Sequence, residues 1–131
     1  MPIHELDELL AGLTVRRRPG SWCLVSGVAF GADVPVAAMV TEDEGTTAVI
    51  STADAVALGL APEFVAAWLT LTVESALDAV GLTAAVASAL ASEGIPCNVL
   101  AGFHHDHLLV PLGRADEAIA AVQALREAHR S

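Results

Sequence analysis

The order of the second half constrains this chain more than any other feature of its sequence. Trp68-Leu69-Thr70-Leu71-Thr72-Val73 alternates, which predicts a strand with Leu69, Leu71 and Val73 on one face. Residues 74–78 read as a loop. Thr83 is placed to cap a helix over 83–93, with Val86 and Leu90 inward; Gly94 stops it and Pro96 forbids its continuation. Residues 97–101 and 107–110 are predicted strands joined by 102–106. Residues 114–129 carry Ala115, Ala118, Ile119, Val122 and Leu125 at helical spacing and predict a last amphipathic helix. Strand, helix, strand, strand, helix is the split βαβ order of a ferredoxin-like unit, short of its closing strand.

The first half offers the same kinds of element. Ile3, Leu6, Leu9, Leu10 and Leu13 form the stripe of a surface helix, with Gly12 near its end. Arg16-Arg17-Arg18-Pro19-Gly20 reads as an exposed strand edge or approach running into a turn. Short β-branched or aromatic runs at 22–25, 34–40 and 46–50 predict three strands, the last two joined by the charged turn Glu42-Asp43-Glu44-Gly45. A short helix follows Thr52 and stops at Gly59, with Pro62 beyond it. The expected fold class is α+β: two ferredoxin-like βαββαβ halves packed together, with antiparallel sheets and helices on one face. Residues 1–62 form the first half and 63–131 the second, by element order alone.

Composition narrows the function classes. Of 131 residues 54% are apolar, too many for a disordered chain. Six basic residues stand against 16 acidic ones, a balance of −10, and the one basic cluster is Arg16 to Arg18. Tracking a phosphate backbone needs clustered cations, so neither nucleic acid nor an anionic membrane is an expected partner. No uncharged stretch exceeds the 14 residues of 79–92, against the roughly 20 a membrane span needs. With no signal-like N-terminus and only Cys23 and Cys97, both read as buried free thiols, the expected setting is the cytoplasm.

Few residues carry chemistry. Gly81 lies between a predicted strand and a helix start, where unpaired N–H groups point outward and suit a carboxylate. Read locally, it serves equally as a tight turn with water on those amides. Asn98, at the start of the following strand, either offers an amide to that corner or is a solvated edge residue. His104-His105-Asp106-His107 is the most conspicuous polar cluster. On a strand, His105 and His107 share one face, with Asp106 and His104 pointing away, but zinc needs a further ligand. The plainer reading is a polar turn whose histidines bond to the backbone or line a subunit contact. Glu74 and Asp78 read as a solvated loop face. Neither cysteine has a basic neighbour to activate it, and Ser75 and Ser88 lie in no elbow-like turn. No catalytic constellation, metal site or cofactor is expected.

Trp68 to Val73, Val80-Gly81-Leu82-Thr83-Ala84-Ala85-Val86, and Glu93-Gly94-Ile95-Pro96-Cys97-Asn98-Val99 together resemble an ACT domain, a βαββαβ regulatory module of amino-acid biosynthetic enzymes. With Ala101-Gly102-Phe103-His104-His105-Asp106-His107, the chain is similar to small bacterial proteins carrying two ACT-like halves. Those halves are in turn similar to the tandem modules of aspartate kinases and of eukaryotic arginine sensors. The resemblance covers roughly residues 66–125. Ala79-Val80 depart from it, standing where many such domains have an acidic residue and a proline. It implies a non-catalytic regulatory protein; a homodimer is expected from the high apolar content of so small a chain. Val80, Gly81, Leu82 and Thr83 would give backbone or hydroxyl contacts to an amino-acid ligand, and Asn98 a side-chain contact. The alternatives are a ligand-free oligomerisation or interaction module and a histidine-based metal-binding protein.

Overall fold

The computed structural model describes residues 3–27, 33–73 and 81–130. The elements run α1 (Ile3–Ala11), β1 (Val15–Ser26), β2 (Ala38–Glu42), β3 (Gly45–Ser51), α2 (Thr52–Ala57), β4 (Val65–Leu71), α3 (Leu82–Ser92), β5 (Asn98–Ala101), β6 (Asp106–Pro111) and α4 (Ala115–Ala128). The predicted loop at Glu74 to Asp78, with Ser75 in it, lies outside the described residues, as does Val80. The chain forms two compact units, one of residues 1–18 with 67–131 and one of residues 19–66.

In the unit of residues 19–66 the strand order is β2-β3-β1. Both pairings are antiparallel, with Leu24 opposite Val49 and Val49 opposite Ala38. The β2–β3 connection is the two-residue turn Asp43-Glu44, with Glu42 opposite Gly45 at φ +141°. Cys23, Ala48 and Ile50 share one face, which α2 covers with Ala55, while Val25, Val34, Val36 and Leu60 close the edges of this small core. Ser51 caps α2 by accepting from the Asp54 amide at 3.1 Å.

In the other unit the strand order is β4-β6-β5. Ala67, Leu69 and Leu71 of β4 and Leu108 and Val110 of β6 face the helices. There they meet Leu82, Val86 and Leu90 of α3, Ala115, Ala118 and Val122 of α4, and Leu10 and Leu13 from the end of α1. α1 packs on both α3 and α4. Arg114 joins two of these elements: its guanidinium donates to the Gly94 and Glu93 carbonyls at 2.9 and 3.0 Å and to Glu117 at 2.7 Å. A cation thus sits on the carbonyls just beyond α3, the favourable sign at a helix C-terminus.

Four expectations change. Pro19-Gly20 is no turn: β1 continues through it, with Gly20 at φ +90°, a departure from strand geometry that glycine makes at little cost. The strand expected over 34–40 starts only at Ala38, since Pro35 has no N–H for a ladder, and it extends to Glu42. β4 starts at Val65 and buries Ala66, Ala67, Trp68 and Leu69 in succession, so it is covered on both faces rather than one. Thr83 does not cap α3. The N-cap is Gly81, and no side chain serves it.

Candidate functional site

Gly81 adopts φ +97°, a backbone conformation that glycine reaches at little cost. A Cβ built there would lie 3.1 Å from Leu6 Cδ2, so α1 rests directly on the glycine. The Gly81 carbonyl accepts the first helical bond, from Ala85 at 2.9 Å. Leu82 turns its side chain into the core and has only its backbone to offer outward. Thr83 is exposed, and its hydroxyl donates to Asp106 Oδ2 at 3.3 Å. The start of α3 thus brings together outward amides, a hydroxyl and a carboxylate. A Gly81→Ala variant combines backbone strain with the close Leu6 contact and is expected to lose about 1–3 kcal/mol of stability in urea unfolding.

Asn98 does not share this corner at close range. It is exposed at the start of β5 opposite Leu109, whereas Asp106 lies opposite Ala101 at the other end of the same hairpin. Three residues of strand separate the two levels, about 10 Å. Gly81, Leu82 and Thr83 stand together, then, while Asn98 belongs to the far end of the edge strand and Val80 lies outside the described residues.

Asp106 was set on the face opposite His107, as found, but its bond to Thr83 at the start of α3 is what sequence reasoning missed. The signal for its side was there: along β6, Asp106 has the parity of Leu108 and Val110, which face the helices. His107 has the opposite parity. It faces Trp68 and Thr70 of β4, whose indole N–H donates to His107 Nδ1 at 3.2 Å and whose hydroxyl lies 3.0 Å from the same nitrogen. An indole N–H can only donate, so Nδ1 carries a lone pair and the ring proton is on Nε2. Burial, then nearby His105, hold the His107 pKa below the ordinary histidine value, against the pull of Asp106. His105 remains in the hairpin loop, and His104 packs edge-on against Phe103. Among the described residues no group of three or more His, Cys, Asp or Glu side chains gathers to hold a metal ion. Cys23 and Cys97 are free thiols, both with pKa pushed up by burial, the wrong direction for a nucleophile. Among the described residues no helix is long and apolar enough to cross a membrane.

Residues 63–127 match one family model described as an ACT domain, and residues 1–67 match a second with the same description. A Vibrio cholerae protein of unknown function, described as a possible transport protein, is 34% identical over 95% of this chain and 98% of its own, with a TM-score of 0.85. An Agrobacterium tumefaciens protein shares the fold at 19% identity and TM-score 0.64, over 87% of this chain and 89% of its own. So does the ligand-free regulatory subunit of aspartate kinase from Thermus thermophilus, at 11% identity and TM-score 0.62, over 85% of this chain and 95% of its own. No curated protein matches the sequence.

Proposed function

Since the chain belongs to the ACT domain family, we propose that it is a regulatory protein without catalytic activity of its own, which binds a small amino acid at the start of α3. The observation that carries this reading is the pair of ACT matches over residues 1–67 and 63–127. The fold shared with an aspartate kinase regulatory subunit supports it. The chemistry of the corner favours a zwitterion. First-turn amides attract a carboxylate with the partial positive charge of the helix end. Asp106, hydrogen-bonded to Thr83 in the same place, repels a simple anion and attracts an ammonium group. An α-amino acid carries both a carboxylate and an ammonium group.

Regulation further requires that the ligand prefer one arrangement of the protein over another, typically by about 1–3 kcal/mol, because uniform binding shifts no equilibrium. Titration calorimetry against the common amino acids should find one that binds, while its des-amino analogue does not. Asp106→Asn should weaken that binding about tenfold or more, the worth of a hydrogen bond to a charged group. If no amino acid produces heat or raises the unfolding midpoint, the receptor reading is lost.

One observation favours a second reading, a module that associates through its surface without a ligand. On the sheet face of the unit of residues 19–66 that is turned away from α2, Leu24 and Val40 are exposed, at 41% and 51%. A symmetric dimer is the commonest way to cover such a surface. Light scattering that finds a monomer at high micromolar concentration counts against this alternative and against the homodimer.

A further inference from the structure

Trp68, Thr70 and His107 lie on the face of the β4 and β6 strands turned away from the helices, and the histidine is held there from several sides. Trp68 and Thr70 present their polar atoms to Nδ1, and the Trp68 and His107 rings are tilted at 58° with centroids 5.3 Å apart. Behind the ring, a Cβ at Gly102 would come 3.1 Å from Nε2 and 2.8 Å from the His105 carbonyl oxygen. The Gly102 amide donates to that same carbonyl at 2.9 Å and closes the hairpin turn. The imidazole is therefore wedged between an indole donor on one side and the Gly102–His105 turn on the other.

We infer that the Trp68–His107 contact is a pH-sensitive latch, which keeps the Gly102–His105 turn closed while the imidazole is neutral and releases it when the ring takes a second proton. A protonated imidazole has an N–H at Nδ1, and two donors then face each other at 3.2 Å. The Thr70 hydroxyl can rotate to accept, but the indole cannot. The ring has to move, and the atoms against its far edge are those of the turn.

The charges around the ring act in both directions. Arg18 of β1, its guanidinium 4.7 Å above the Trp68 ring, and His105 of the loop oppose the second charge. Asp106, its neighbour on β6, favours it while bonded to Thr83 on the opposite face. The lowered pKa gives the sign. The unfolded chain binds the proton more readily, so the latch contributes its full stability above the ordinary histidine value near 6.5 and loses it as pH falls toward the folded value.

The test is ¹⁵N NMR of the whole chain from about pH 8 to about pH 5, the range in which a histidine titrates. Trp22→Phe assigns the two indole signals. As the His107 ring signal titrates, the Trp68 indole N–H should shift with the same midpoint, and the protection of the Gly102 amide, corrected for the intrinsic slowing of exchange as pH falls, should drop about tenfold. In His107→Gln, whose carbonyl accepts at every pH, both should stay constant. The proposal is overturned if the ring titrates while the indole and Gly102 signals stay fixed, or if those signals shift equally in His107→Gln. Should that variant fail to fold, Trp68→Phe keeps an aromatic ring and removes the donor. The His107 midpoint should then rise, and an unchanged midpoint overturns the latch.

Discussion

Leu69→Ala is expected to remove about 2–5 kcal/mol of stability, read as a lower urea midpoint with an unchanged slope. Leu69 is fully buried at the middle of β4, and on the helix-facing side it lies in one cluster with Leu71, Leu108, Leu90 and Val122. Strand β4 is covered on both faces, so its backbone has little freedom to sink into the vacated volume. The cost should fall in the upper part of that range. Val56→Ala is the matched control: Val56 is 62% exposed on α2, and its loss should stay within about 0.5 kcal/mol. If the two variants unfold at the same midpoint, the helix-facing side of β4 is not the core described here.

Gly102→Ala is the second large effect. The added methyl would stand 2.8 Å from the His105 carbonyl oxygen, which is backbone and cannot step aside as a flexible side chain would. Overpacking of this kind costs about 1–3 kcal/mol, and losing the Gly102–His105 hydrogen bond adds about 1 kcal/mol. The signature should be local. Hydrogen exchange should quicken across β5 and β6, which are joined by this turn, while the amides of β2 and β3 keep their protection. Uniform loss of protection over the whole chain would show that the turn is no separate element. Amino-acid binding at the start of α3 should also weaken, because Asp106 opens β6 immediately after this loop.

What could be read from the sequence follows from how local each cause is. Gly81, Gly94 and Pro96 punctuate α3, and their effects are confined to the backbone they sit in, so the bounds of that helix were legible to within a residue or two. α4 was legible for the same reason, with its apolar positions repeating along one stripe. The two ACT halves emerged from element order and from the residues between Trp68 and Val99, and both family matches support them.

The rest depends on atoms distant in the chain. Nothing within β1 says that the strand will run on through Pro19-Gly20; its ladder partners on β3 lie about 21 to 29 residues further along the chain. Double burial of β4 was hidden because Ala66 and Ala67 are small enough for either face. At the candidate site the corner glycine was visible, but Leu6 covering it and Asp106 bonding to Thr83 were not. Asp106 was rightly set on the side of the strand opposite His107, but nothing local to β6 says that the start of α3 lies within reach of it.

The two ACT matches meet near residue 65, yet one compact body is built from residues 1–18 together with 67–131. Leu10 of α1 and Leu13 just beyond it wall the interior formed by α3 and α4. Genetic dissection at that junction would therefore strip the carboxy-terminal body of a panel encoded some sixty codons upstream. The excised fragment should be greasy and prone to precipitate, and a failed binding assay on it would report the missing panel rather than an inert module.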